Sequence, residues 1–331
     1  MKKINLAILV LSLTLIVFTL FSFTYSTRAV QDPLQTIYIR LPIPVVDSAF
    51  NPYYVAIDQG FYEKEGLKVI LQPGTAETNP IKMVLAGKDK FGVIGGPDTL
   101  LVARSKDLPV VAIATLHKNS NFPVLLTLKD SGLTTLEDLQ NKKIGFFYGH
   151  ISTDVLRNLL RKENIDYEEV NVGFNYKPLI AGTIDASWAF HTTAGLNLPH
   201  QGIEVNTISP KDYGIVTHGH TIFTTDDFIE KNPEIVEKFL RATIKGIKFT
   251  TENPHQAILS TLSRDLKINP ELEKIRLAEY NKVTSNSKQF PPGYMDYKMF
   301  KETYDRLNQE KVLASQFDVN NAFTTEFLNK I

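Results

Sequence analysis

No cysteine occurs anywhere in the 331 residues. A disulfide, a thiolate nucleophile, an iron–sulfur cluster, a cysteine-ligated zinc and a lipid-modified N-terminal cysteine are therefore all excluded. An excess of either charge is missing too, since 36 Lys and Arg balance 36 Asp and Glu and the pI is 7.1. Without a broad basic surface, nucleic acid is not expected as a partner. The GxSxG, P-loop, GxGxxG and HExxH signatures are absent, as are internal repeats and low-complexity tracts. What is present is a chain of 43% hydrophobic residues, long enough for about two domains.

The first residues carry a targeting signal. Lys2 and Lys3 precede an uncharged, largely apolar run from Ile4 to Thr27, and Thr27 and Ala29 occupy the −3 and −1 positions of a cleavage site before Val30. Residues 1–29 thus read as a secretory signal peptide, or, because the run approaches the ~20 residues that span a bilayer, as an uncleaved anchor. Either reading leaves the two lysines inside and places the remaining chain extracytoplasmically, in the periplasm or on the outer face of the cytoplasmic membrane.

From Thr36 onward, short β-rich runs alternate with helical patterns, which predicts an α/β fold with mainly parallel sheets. Strands are expected at TIYIRLPI from Thr36, LKVILQ at 67–72, FGVIGG at 91–96 and LPVVAIATL at 108–116, then at 122–128, 143–148, 168–174 and 184–190. After Tyr213 the pattern turns strongly helical. Asn232 and Pro233 open a long helix with Val236, Phe239, Leu240, Ile244 and Ile247 on one face. Thr134 and Glu137 have the spacing of a capping box. The helices need a sheet to cover, so the expected layout is bilobal. Lobe 1 takes 36–117 and 214–331, lobe 2 takes 118–213, and the two crossings form a hinge.

In open α/β sheets ligands bind beyond the carboxyl ends of strands, at helix N-termini. Three turns have that character: Asn51-Pro52, Gly96-Pro97-Asp98, and the stretch with His150 and Ser152. Phe50, Tyr53, Tyr148, Trp188 and His191 crowd the same strand ends, and Asp47 lies one turn upstream of Asn51. Ordinary capping and core burial account for any one of these residues, whereas together they outline a cleft that stacks a flat ring between aromatic faces. No arginine sits in the three turns, so a neutral or weakly charged heteroaromatic ligand is expected. His218 and His220 are two apart, but the nearest acidic residues are Asp212 and Asp226; a hinge or surface place is expected for them, and no metal or cofactor.

The segments YYVAIDQGFYEKEGLKVIL, VLAGKDKFGVIG, LLVARSKDLPVVAIATL, LKDSGLTTLEDLQNKKIGF, IAGTIDASWAF and SPKDYGIVTHGHTIFTTDDFIEKNPEIVEKFLRATIKGI, in this order, resemble the ABC-importer substrate-binding proteins of the thiamine-pyrimidine-precursor and sulfonate type. The resemblance implies a type II periplasmic-binding fold that captures a small molecule outside the cell and delivers it to a permease and its ATPase, without chemistry. It leaves the ligand open. VVDSAFNP stands where the pyrimidine branch has an Asn/His-containing loop, and HTTAG lacks that branch's acidic residue. Riboflavin and alkylsulfonates are the alternatives, with a membrane-anchored sensor as another use of the same fold. A related eukaryotic branch makes the pyrimidine in a single-turnover reaction with a reactive lysine, a histidine and a cysteine cluster; this chain reads Ile94-Gly95-Gly96-Pro97-Asp98 after the third strand and has no cysteine.

Overall fold

The computed structural model describes residues 33–75, 77–148 and 153–331. The signal or anchor expected over 1–29, and the expected site residues His150 and Ser152, lie outside the described residues. Two five-stranded sheets carry the fold. The first has the order β2-β1-β3-β10-β4, built from β1 (Gln35–Arg40), β2 (Leu67–Gln72), β3 (Phe91–Ile94), β4 (Val110–Thr115) and β10 (Thr221–Thr225). The second has the order β7-β6-β8-β5-β9, built from β5 (Pro123–Leu128), β6 (Lys142–Phe146), β7 (Tyr167–Asn171), β8 (Ala186–Phe190) and β9 (Val205–Ile208).

Both sheets are mixed, which corrects the expectation of mainly parallel ones. β10 pairs antiparallel with β3 on one side and β4 on the other. β5 pairs antiparallel with β8 and β9, while β6 is parallel to β7 and β8. The return of the chain accounts for much of this, and β5 also runs against β8. A strand that leaves one sheet and a strand that comes back lie side by side in opposite directions, β4 with β10 and β5 with β9.

The connecting segments continue this pairing between the sheets. Leu116 N–H donates to His220 O at 2.8 Å, Gly219 N–H to His117 O at 2.8 Å, and Asn121 N–H to Thr217 O at 3.3 Å. The two crossings therefore form a short hydrogen-bonded ladder, and satisfying each other's backbone polar groups lets them run between the sheets without a solvent-facing edge. A third segment joins them: Lys118 N–H donates to Val283 O at 3.0 Å and Ser285 N–H to Leu116 O at 3.2 Å.

Helices cover both sheets. Around the first sheet are α1 (Asn51–Asp58), α2 (Phe61–Lys64), α3 (Pro80–Leu85) and α4 (Pro97–Arg104); around the second are α5 (Asp154–Lys162), α6 (Lys177–Ile180) and α7 (Ala194–His200). The chain ends with α8 (Asp226–Lys231), α9 (Pro233–Glu252), α10 (Pro254–Leu262), α11 (Pro270–Val283) and α12 (Tyr297–Gln309). In α9 the residues Val236, Phe239, Leu240, Thr243, Ile247 and Thr250 are buried, the three-and-four spacing of one helix face. That face lies on α1 so closely that a Cβ at Gly246 would run into the Pro52 carbonyl oxygen. Among the described residues no helix is long and apolar enough to cross a membrane.

β4 is an edge strand, yet all six of its residues are buried. The C-terminal segment covers it through a bridge between Ala112 and Phe323 and a bond from Thr324 N–H to Ala112 O at 2.9 Å, which removes the exposed edge. Two capping expectations change. The helix after β1 begins at Asn51 itself, preceded by a 3-10 turn, Ser48–Phe50, whose cap is Asp47 accepting from Ala49 N–H. At Glu137–Leu139 the carboxylate of Asp138, rather than a Thr134–Glu137 pair, accepts from the N–H groups of Thr134 and Thr135.

Candidate ligand-binding site

The carboxyl ends of β1 and β4, both crossings and the inner face of α11 meet at one place. His117 follows β4, His220 precedes β10, and Phe50 follows β1. Their rings gather with Phe122 and Tyr280: His117 lies 5.3 Å from His220, 5.2 Å from Tyr280 and 5.5 Å from Phe122, and Phe50 lies 5.3 Å from His220. These are ordinary aromatic packing distances. The polar atoms are less ordinary. Among the described residues His117 Nδ1 and His220 Nδ1 are buried with no hydrogen-bond partner, as are the hydroxyls of Ser120, Thr217 and Ser285 on the same three segments.

Beside this cluster lies a buried charge network. Helix α11 is capped by Asn269, whose side chain accepts from Glu271 and Leu272 N–H, and it turns Glu273, Arg276 and Tyr280 to one face. Arg276 bonds Glu273, approaches Asp47 to 3.5 Å, and reaches the residues after β8 by donating to Thr192 O at 2.9 Å and Asn197 Oδ1 at 2.7 Å. Glu273 accepts from the Ser48 hydroxyl at 2.6 Å, and the Thr192 hydroxyl donates to Tyr280 at 3.1 Å. One guanidinium thus serves two carboxylates and ties the first lobe to the second. Burial pushes the Asp47 carboxyl up to about 6, with the Arg276 charge opposing the rise.

A second tie joins the lobes. Asp98 in the first turn of α4 pairs with Arg306 of α12; Arg306 bonds Glu310, and Glu310 accepts from Asn158 of α5 at 2.7 Å.

The remaining expected site residues are placed as follows. Phe50 and Asp47 belong to the assembly just described, and Asp98 to the second tie. Asn51 is fully buried, with its amide spent on Ala257 O, Thr261 and Thr250, so it holds α1 against α9 and α10. Tyr53 is buried in the first core, its hydroxyl without a partner among the described residues. Gly96 caps α4 and lies under the second crossing, where a Cβ would sit 2.5 Å from His218 O. Tyr148 is half exposed and bonds Glu169 O at 3.4 Å. Trp188 is fully buried in the second core, its indole N–H donating to Gly173 O at 2.8 Å, with Phe147, Phe174 and Phe190 around it. His191 is partly buried; its N–H donates to Phe122 O at 2.7 Å and its ring faces Gly195.

His117, His220, Phe122, Tyr280, Arg276 and Thr192 were not among the expected residues. The signal for the histidines was their place at the crossings. The signal for Glu273, Arg276 and Tyr280 was a charged stripe at core spacing in a helix with few large apolar residues. Among the described residues no three His, Asp or Glu side chains come together to hold a metal ion.

Burial lowers the pKa of His117, and takes those of His218 and His220 down to about 4. A histidine with its folded pKa depressed costs no stability above about pH 6.5, where both states are neutral. Below it the unfolded chain takes up protons first and stability falls by about 1.4 kcal/mol per pH unit per histidine. Asp47 acts oppositely between about 6 and 3.8, because the folded state holds that proton where the unfolded state does not. Three histidines outweigh one carboxyl. The urea midpoint is therefore expected to fall between pH 7 and 5, and His218→Gln or His220→Gln to flatten that slope. An unchanged slope in both variants would show that the two histidines titrate normally in the folded state.

Two mixed sheets joined by paired crossings, with a polar and aromatic floor at strand ends, define a ligand binder with the periplasmic-binding-protein fold. The chain belongs to the NMT1/THI5 like family, whose model matches residues 47–257. It is 28% identical over 256 residues to the formylaminopyrimidine-binding protein of Halalkalibacterium halodurans, covering 75% of this chain and 76% of that one. It is 27% identical over 305 residues to the riboflavin-binding protein RibY of Chloroflexus aurantiacus, covering 84% and 82%. Other relatives are named 4-amino-5-hydroxymethyl-2-methylpyrimidine phosphate synthase. In structure it matches the alkanesulfonate-binding protein SsuA of Xanthomonas axonopodis pv. citri bound to MOPS, with a TM-score of 0.68 at 15% identity over 87% of this chain and 98% of that one.

Proposed function

We propose that the chain is the extracytoplasmic solute-binding protein of an ABC importer, and that it encloses a small heterocyclic nutrient between lobes 36–117 with 214–331 and 118–213, then hands it unchanged to a permease. The observation that carries this reading is the floor at the crossings. Unpartnered buried polar atoms on the segments that join the lobes, walled by Phe50, Phe122 and Tyr280, need a partner that a ligand supplies when the lobes close around it. The relatives named for binding formylaminopyrimidine and riboflavin support a flat nitrogen heterocycle. Capture without chemistry is favoured over synthesis by the Ile94–Asp98 turn, which offers neither lysine nor histidine, and by the lack of cysteine.

Thermal unfolding of the purified protein against formylaminopyrimidine, hydroxymethylpyrimidine, thiamine, riboflavin and alkylsulfonates tests this. Ligand at about 100 times its Kd is expected to stabilise the fold by roughly 2.7 kcal/mol. A shift with a heterocycle names the cargo class. Conversion of pyridoxal phosphate and histidine to a pyrimidine would overturn the reading, as would no shift with any of the panel.

A further inference from the structure

We propose that His117 and His220 are the ligand's recognition pair, one imidazole on each crossing, which together take a ligand edge bearing both a hydrogen-bond donor and an acceptor and select against anions. The inference rests on the binding-protein reading above and adds which residues choose the ligand and on what chemistry.

Three observations carry it. His117 is 1% exposed, and among the described residues neither its Nδ1 nor that of His220 has a partner, although the two rings are only 5.3 Å apart. A neutral imidazole offers one donor and one acceptor nitrogen, so a facing pair matches the alternating donor and acceptor pattern of an aminopyrimidine or of the imide edge of a flavin. The hydroxyls of Thr217 and Ser285 add two groups that serve as either.

The second observation concerns cations. Arg276 is held by Asp47 and Glu273 and by two further acceptors, Thr192 O and Asn197. Lys118, next to His117 in sequence, has its ammonium over the rings of Phe290 and Tyr294 at 3.3 and 4.7 Å. Asp296, Lys298, Glu302 and His218 are the ionisable groups whose charges act with that of Lys118, and Tyr280 lies tilted against both imidazoles, 5.2 Å from His117 and 6.4 Å from His220. Arg276 is shared among four acceptors and the Lys118 ammonium is held by aromatic rings, so the groups that would meet a sulfonate or phosphate here are the neutral imidazoles, whose acceptor nitrogens oppose an anion.

The third is geometric. A Cβ at Gly219 would lie 2.8 Å from His117 Cβ and 2.9 Å from Phe122, so the residue between His218 and His220 has to be glycine for the crossings to approach as they do. A ligand bonded to both imidazoles therefore pins the two crossings to each other, and recognition is built into the hinge.

The test uses the whole protein and three titrations at pH 7.5, with riboflavin, formylaminopyrimidine and ethanesulfonate, on the native chain, His117→Phe and His220→Asn. The expected result is binding of a heterocycle, at least tenfold weaker in each variant, and no binding of ethanesulfonate. Because His117→Phe alters a buried site, the native protein labelled with 15N-histidine gives an independent readout: the Nδ1 resonances of both residues are expected to move on adding the heterocycle. Heterocycle binding with unchanged affinity in both variants and unmoved resonances would overturn the recognition pair while leaving a binding protein. So would tight binding of ethanesulfonate. Failure of all three compounds on the native chain would instead overturn the binding reading itself.

Discussion

Replacing Arg276 with methionine is expected to cost about 3–5 kcal/mol of stability, the penalty for leaving buried carboxylates uncompensated. Asp47 and Glu273 are 3% and 2% exposed, and Arg276 is the cation that faces both. The loss exceeds that of the Arg276 hydrogen bonds to Thr192 and Asn197, at about 1 kcal/mol each. Lysine will not substitute. Its ammonium lacks the planar fork that lets one side chain address four partners in different directions. Removing the orphaned charges as well, in Arg276→Met with Asp47→Asn and Glu273→Gln, is expected to recover most of the loss, because a polar site without net charge carries a far smaller desolvation penalty. Urea unfolding at pH 7 measures both. A single-variant loss below about 1 kcal/mol would mean that water or a proton already compensates the carboxylates.

Gly246→Ala is expected to destabilise by about 3 kcal/mol, in the direction opposite to the usual effect in a helix. Alanine in place of glycine normally gains up to about 1 kcal/mol within a helix through backbone entropy. Here the added methyl meets the Pro52 carbonyl oxygen, a backbone atom that cannot rotate away, and stands 3.0 Å from the Ala56 methyl. The only relief is to move α1 off α9. That displaces Phe50, which immediately precedes α1, so ligand binding is expected to weaken together with stability. Lys248→Ala on the exposed side of the same helix serves as the control and should lie within about 0.5 kcal/mol of the parent. Thermal unfolding of the pair separates a packing effect from a helix-propensity effect.

The sequence made the architecture legible because its strands are short runs of β-branched and aromatic residues separated by helical stripes. The first eight strands lie within a few residues of where that pattern puts them. β9 and β10 escape that pattern for different reasons. β9 is four residues with only Ile208 buried, too short and too polar to show a period. β10 reads TIFTT directly before the acidic first turn of α8, and that turn dominated the local pattern. Missing β10 is why the first sheet reads as mainly parallel; in the second, the direction in which β5 pairs with β8 has no local signal. Asn51 shows another limit. An Asn before a proline looks like a helix cap, yet the cap lies at Asp47, and Asn51 spends its amide on helices some 200 positions later in sequence. Site residues contributed by α11 were invisible for that reason, since no local rule says that Arg276 will meet Asp47.

The place of β10 also dictates an order of assembly. The second sheet is continuous in sequence from β5 to β9, so all its strands exist before the chain returns. The first sheet has its next-to-last position filled by a strand about a hundred residues downstream of β4, and until Thr221–Thr225 has been made β4 has no neighbour connecting it to β3. Long-range pairing of this kind is slow to form. A chain made N-terminus first therefore has every strand of its second sheet before it has every strand of its first.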